Sequence, residues 1–174
     1  MMTNARTYMK VAVLTVSDTR TPETDTSGQF LADALRADGH TVTAHEIVID
    51  DVYLLRAKIS AWIVDPEVDT IITTGGTGFG GRDSTPEALS PLFDKHIEGF
   101  GEMFRYLSIA DIGTSTIQSR ALAGIANNKA IFCVPGSTGA CRLAWEGILR
   151  DQLDSRHKPC NFVGVLGKRR EKNL

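Results

Sequence analysis

From Met9 to Val16 the chain runs apolar and β-branched without a break, the pattern of a strand buried on both faces. The polar run Ser17-Asp18-Thr19-Arg20-Thr21-Pro22 ends it. The period then becomes helical: Phe30, Leu31, Ala34 and Leu35 fall on one stripe, with N-caps offered by Asp25, Thr26 and Ser27 and a stop at Gly39. Thr41 to Ile49 predicts a second strand, which runs out at Asp50-Asp51. Val52, Leu55, Ile59, Trp62 and Ile63 mark a second amphipathic helix, closed by Pro66. Asp69 to Thr74 predicts a third strand, followed by five glycines in seven positions, Gly75 to Gly81. Leu89, Leu92 and Phe93 predict one helical face, and Phe100, Met103, Phe104 and Leu107 another. Arg120–Ala126 and Lys129–Val134 read as two strands around Asn127-Asn128. Pro135-Gly136-Ser137-Thr138 then opens a last helix carrying Trp145, Ile148, Leu149 and Leu153.

Strands alternating with helices predict an α/β protein, a three-layer α/β/α sandwich with a mostly parallel sheet and a small antiparallel hairpin. At 174 residues, with no repeat and no linker, residues 1–174 are expected to form a single domain. Residues 1–8 and 165–174 are expected to be loose tails, the second carrying the basic cluster Lys168-Arg169-Arg170 with Lys172. A net charge of −2 gives no nucleic-acid footprint, and no apolar run approaches a membrane span. The first residues lack the apolar core of a secretory signal. Cys133, Cys141 and Cys160 show no metal-type spacing, and the first two sit in apolar patterns. A reducing cytoplasm is the compartment these features point to.

The chemistry concentrates in Ile71 to Glu87, IITTGGTGFGGRDSTPE. A buried strand that ends in glycines and meets a helix start suits an anion. Backbone N–H groups approach it without Cβ interference, and the helix adds unpaired donors and its dipole. Gly76, Gly78 and Gly81 satisfy G-x-G-x-x-G, but three residues separate the last glycine from the helix signal, so a dinucleotide fingerprint does not fit. No Gly-Lys-Ser/Thr follows, so there is no P-loop. Ser84-x-x-Glu87 predicts a capping box. Asp83 would repel an anion unless it holds a cation or a donor, and Mg²⁺ between carboxylates and phosphate oxygens resolves the conflict. Of Asp50 and Asp51 only one can cap the following helix, which leaves the other for the sheet edge. Asp18 and Asp25 read as turn and cap residues. Four scattered histidines show no ligand spacing and are expected at the surface. Arg20, Arg82 and Arg120 are candidates to clamp a phosphate.

Several segments resemble the MoaB/MogA family of molybdenum cofactor biosynthesis proteins. These are Thr15-Val16-Ser17-Asp18, Asp25-x-Ser27-Gly28, Thr74-Gly75-Gly76-Thr77-Gly78 and Arg82-Asp83-x-Thr85-Pro86-Glu87-Ala88. Gly99-Phe100-Gly101-Glu102 with Arg105, Ser119-Arg120 and Pro135-Gly136-Ser137 complete the match over nearly the whole chain. The resemblance implies a molybdopterin-binding domain that assembles into trimers or hexamers. Active members transfer AMP from Mg-ATP to the terminal phosphate of molybdopterin. The family's two functional aspartates fall on Asp50 and Asp83, which would also hold Mg²⁺; Ile49 stands where a proline usually precedes the first. The remaining implied contacts are Ser17, Asp18, Gly75, Gly76, Thr77, Gly78, Arg82, Thr85, Ser119, Arg120, Pro135, Gly136 and Ser137. A second reading is a carrier or scaffold that binds molybdopterin without nucleotide chemistry, and a third is an assembly protein with neither ligand.

Overall fold

A computed structural model describes residues 5–170, with the side chains of 167–170 left undescribed. Six strands form one sheet in the order β2-β1-β3-β6-β5-β4: β1 (Lys10–Val16), β2 (Thr41–Val48), β3 (Thr70–Thr74), β4 (Lys95–His96), β5 (Leu122–Ala126) and β6 (Lys129–Val134). β2, β1, β3 and β6 are parallel, and β5 and β4 turn antiparallel at one edge. Asn127 and Asn128, at φ 45° and 60°, make the mirror-image turn that matches strand twist in a two-residue hairpin.

Helices α1 (Thr26–Ala37), α4 (Glu98–Ile112), α5 (Thr138–Ala144) and α7 (Phe162–Arg170) bury Leu31, Leu35, Phe100, Phe104, Ala144 and Val163 against one sheet face. α2 (Val52–Val64) and α3 (Thr85–Leu89) pack Leu55, Ile59, Trp62 and Leu89 on the other. Cys133 and Cys141 are core residues; burial pushes their thiols up to about 12 and about 11, which leaves them unreactive.

Four local expectations change. The helix through Leu89, Leu92 and Phe93 stops at Leu89 and passes into a 3₁₀ turn, Ser90–Leu92, because Pro91 withholds the next backbone donor. The two-residue β4 has no pattern in the sequence to announce it. The last helix runs from α5 through a π-helical turn, Trp145–Leu149, into α6 (Arg150–Gln152). The ends, expected as loose tails, carry ion pairs and a helix. Arg6 pairs with Asp38 and Asp154, and α7 occupies residues 162–170; residues 1–4 and 171–174 lie outside the described residues. The side chains of Lys168–Arg170, and Lys172 itself, lie outside them too. Among the described residues no helix is long and apolar enough to cross a membrane.

Candidate active site

The parallel strands end in step. Val16 pairs with Val48, Thr15 with Thr74, and Thr74 with Val134, so their loops leave the sheet at one level. β1 has β2 on one side and β3 on the other, and the helices that follow β1 and β2 lie on opposite faces. The strand order therefore reverses between β1 and β3, the place where open α/β sheets hold ligands.

Asp51 caps α2, accepting from the amides of Tyr53 and Leu54 at 2.9 Å each. That leaves Asp50 for the edge. Its Oδ1 accepts from Ser84 N at 3.1 Å and from the Ser84 hydroxyl, and its Oδ2 lies beside Gly76. Asp18 Oδ1 accepts from Asp50 N at 3.0 Å, tying the ends of β1 and β2. Burial, first, and the charges of Asp83 and Asp18 raise the Asp50 carboxyl above its ordinary value, partly offset by the Ser84 bonds.

Gly75 and Gly76 adopt φ of +104° and +68°, which side chains rarely tolerate. They fold the loop back so that Gly75 N donates to Val134 O and Thr85 N to Gly76 O, both at 3.0 Å. The amides of Gly76, Thr77 and Gly78 have no acceptor among the described residues. Successive unpaired N–H groups of this kind form an anion-binding concavity. Gly80 N is different, since it donates to Asp83 Oδ2 at 2.9 Å.

Several expected contacts shape the loop instead of facing it. Thr85 is fully buried, with its hydroxyl on Gly75 O at 2.9 Å. Arg120 donates to Gly78 O through Nε at 3.0 Å and Nη2 at 2.6 Å, and to Asp83 O at 3.2 Å. It also pairs with Glu87, whose carboxyl that bond holds below its ordinary value. Arg120 is thus a brace and not a phosphate clamp, because its donors are spent on carbonyls. The capping box is absent: Ser84 makes no side-chain cap bond, its hydroxyl goes to Asp50, and Glu87 is taken by Arg120. Ser17 Oγ accepts from the amides of Thr19 and Arg20 at 3.2 and 3.0 Å and so turns the chain. Arg82 pairs with Asp18 at 2.9 Å and stays exposed.

Across the loop, Gly136 packs on Gly75, Pro135 O accepts from Thr74 Oγ1 at 3.0 Å, and Ser137 caps α5 through Ala140 N at 3.0 Å. Ser119, Pro135 and Ser137 line a cavity of about 380 Å³ with Phe104, Ile112 and Leu143. A larger cavity, about 610 Å³, lies on the other side behind Ser17 and Asp18. Among the described residues no three acidic, histidine or cysteine side chains gather as a metal cage. Asp50 and Asp83 still suit Mg²⁺, which takes one or two carboxylates and completes its sphere with water and phosphate oxygens. Of these three carboxylates Asp18 alone pairs with a guanidinium, that of Arg82; those of Asp50 and Asp83 accept from Ser84 and from Gly80 N.

Not every histidine lies at the surface. His40 is buried, its Nδ1 accepting from Met9 N at 3.0 Å, and His45 Nε2 meets Asp25 Oδ2 at 2.9 Å. His45 shares a strand face with Ile47, beyond an irregularity at Thr43 that breaks the simple alternation of β2.

Fold and rim together define a three-layer α/β/α protein with a glycine loop of unpaired amides, among the described residues, at its topological switch point. Residues 12–155 match the family described as a probable molybdopterin binding domain. Molybdenum cofactor biosynthesis protein B of Escherichia coli K12 is 54% identical over 159 residues, 91% of this chain and 94% of that protein. A crystal structure of a molybdenum cofactor biosynthesis protein B superposes with a TM-score of 0.86 at 39% identity, covering 97% of this chain and 99% of the other. The tungsten cofactor synthesizing protein MoaB from Pyrococcus furiosus gives 0.71 at 37% identity, covering 81% and 90%. The chain belongs to the MoaB/MogA family of molybdenum cofactor biosynthesis proteins.

Proposed function

We propose that this protein binds molybdopterin and transfers AMP from Mg-ATP to its terminal phosphate. The observation that carries the reading is Asp50, released from capping by Asp51, half-buried with no cation on its carboxylate and set against Gly76 beside amides with no acceptor among the described residues. The terminal phosphate of molybdopterin is an anion already, so no base has to generate the nucleophile. One of its oxygens attacks the α-phosphorus, a phosphoanhydride bond forms, the α–β bridge breaks, and pyrophosphate leaves with the electron pair. The protein's work is then to hold two polyanions in line and to oppose their charge. Amides of Gly76 to Gly78 receive phosphate oxygens, Arg82 adds charge at the rim, and Asp50 and Asp83 would hold the metal. Mg²⁺, when bound, neutralises phosphate oxygens. Ser119 and Ser137 face the smaller cavity from the far side of the loop.

The same reading includes a cytoplasmic homo-oligomer, trimer or hexamer. Of the helical face Phe100, Met103, Phe104 and Leu107, Phe100 and Phe104 are buried in the core. Met103, Tyr106, Ile109 and Ile112 on the same helix are exposed and supply an apolar face for assembly. The carrier reading has one observation in its favour: Asp83 Oδ2 is already taken by Gly80 N. Incubation with molybdopterin and Mg-ATP separates the two. Pyrophosphate release matching consumption of molybdopterin is expected; molybdopterin binding with no pyrophosphate establishes the carrier instead.

A further inference from the structure

The segment Gly99-Phe100-Gly101-Glu102 with Arg105 takes no part in the mechanism above, yet it grips the chain on both sides of Arg120. From the middle of α4, Arg105 Nη1 donates to Ser119 O at 3.3 Å and to Ala121 O at 3.1 Å. The Arg105 carbonyl accepts from the Thr116 hydroxyl at 2.9 Å, which ties down the 3₁₀ turn leading to Ser119. Gly101, one helical turn before Arg105, makes room for this contact. A Cβ there would lie 2.5 Å from Ala121 O and 2.9 and 3.0 Å from the Arg105 guanidinium nitrogens. Core packing accounts for Phe100, which is buried. It does not account for a guanidinium spent on two carbonyls that flank Arg120.

The segment so held reaches the glycine loop through its backbone. Arg120 N donates to Thr77 O at 3.1 Å, beside the side-chain bonds to Gly78 O and Asp83 O. In a planar trans peptide the carbonyl and the N–H that follows it point in opposite directions. Each unpaired loop amide is therefore aimed by whatever holds the carbonyl before it. Gly75 O accepts from Thr85 Oγ1 at 2.9 Å and Gly76 O from Thr85 N at 3.0 Å, which aim the amides of Gly76 and Thr77. Thr77 O accepts from Arg120 N, which aims the amide of Gly78. Two of the three donors are thus set by the first residue of α3. The third is set by the entry to β5, which α4 holds through Arg105.

We infer that Arg105 is a positioning residue: it holds Ser119 and Ala121 so that Arg120 N turns the Gly78 amide toward an incoming phosphate oxygen. The inference rests on the anion-binding role proposed above for the loop. Amide-resolved NMR of the full chain, free and titrated with Mg-pyrophosphate, tests it in two variants. Arg105→Met keeps the stem and removes the donors. Gly101→Ala leaves Arg105 in place and pushes on Ala121 O from the helix, at a position where alanine itself favours the helix. The two disturb one contact from different sides, so one folded variant suffices. Each is expected to displace the Gly78 resonance in the free protein and to weaken Mg-pyrophosphate about fivefold, the scale of one amide hydrogen bond made poorly. Gly76 and Thr77 should keep their resonances, as should Asp38 and Asp154 at the far end of the sheet, a pattern that general loosening of the fold would not give. Arg105→Lys, which retains a donor on a different stem, should recover part of the affinity. An unmoved Gly78 with unchanged Mg-pyrophosphate affinity in either folded variant overturns the inference and leaves the reading of the glycine loop standing. Equal displacement of all three loop amides makes Arg105 a general support of the fold and overturns it too. A wild-type chain with no saturable response to Mg-pyrophosphate removes the anion site and the inference together.

Discussion

The two ends of the sheet carry similar numbers of charges and use them in opposite ways. At the amino end, Arg6 pairs with Asp38 and Asp154, Arg156 takes Asp154 at 2.8 Å, and Lys10 takes Glu67 at 2.9 Å. Lys129, nearly buried, donates to the carbonyls of Asp65 and Val68. The Arg156 guanidinium holds the Asp154 carboxyl far below the ordinary carboxylate range. At the carboxyl end, Asp50 is pushed the other way by burial and by like charges, and the glycine amides beside it lack acceptors. Matched charges fasten the scaffold; unmatched ones leave a site that is satisfied when its ligand arrives.

The largest effect that sharpens this contrast is on turnover. Asp50→Asn and Asp83→Ala are each expected to lower AMP transfer about a thousandfold with the chain still folded, the scale of losing a positioned electrostatic group. Pyrophosphate release measures it, and undiminished turnover in Asp83→Ala would remove that residue from the mechanism. Next comes Gly76→Ala, which forces a side chain into φ +68° and against Asp50 and Thr85. It should cost about 2 kcal/mol in urea denaturation.

At the scaffold end, Asp154→Asn should cost about 1 kcal/mol near pH 7 and leave AMP transfer unaltered. The sign follows from the depressed carboxyl: its stabilisation is present above the unfolded value of 3.8 and fades as pH falls below it. The wild-type advantage over the variant should therefore vanish in acid. Asp50→Asn gives the smallest effect, with the sign reversed. A raised carboxyl penalises the fold while ionised, so removing its charge should stabilise the free protein by about half a kcal/mol near pH 7, reduced by solvent screening. That gain should disappear as pH drops and the wild-type Asp50 protonates. A destabilised Asp50→Asn at neutral pH would contradict the contrast.

Periodicity exposed most of the scaffold, because buried parallel strands and amphipathic helices write their packing into the order of apolar residues. The hairpin at Asn127-Asn128 was readable for the same kind of local reason. What escaped depends on contacts between distant segments. Ser84 and Glu87 have the spacing of a capping box, but Asp50 and Arg120 compete for them and win. Thr85 and Arg120 look like ligand contacts by type, and only the folded loop shows their donors consumed by Gly75, Gly78 and Asp83. The π-helical turn at Trp145–Leu149 and the helix at Phe162–Arg170 follow from tertiary packing that local pattern does not encode. Asp50 and Asp51 were indistinguishable as neighbours until the helix cap selected one.

The most direct test of the unsatisfied rim is an amide-resolved NMR titration with Mg-pyrophosphate. The account predicts large, saturable shifts at Gly76, Thr77 and Gly78, and none at Asp38, Asp154 or Arg156. Shifts confined to the scaffold end, or no saturable shift at the three glycine-loop amides, would contradict it.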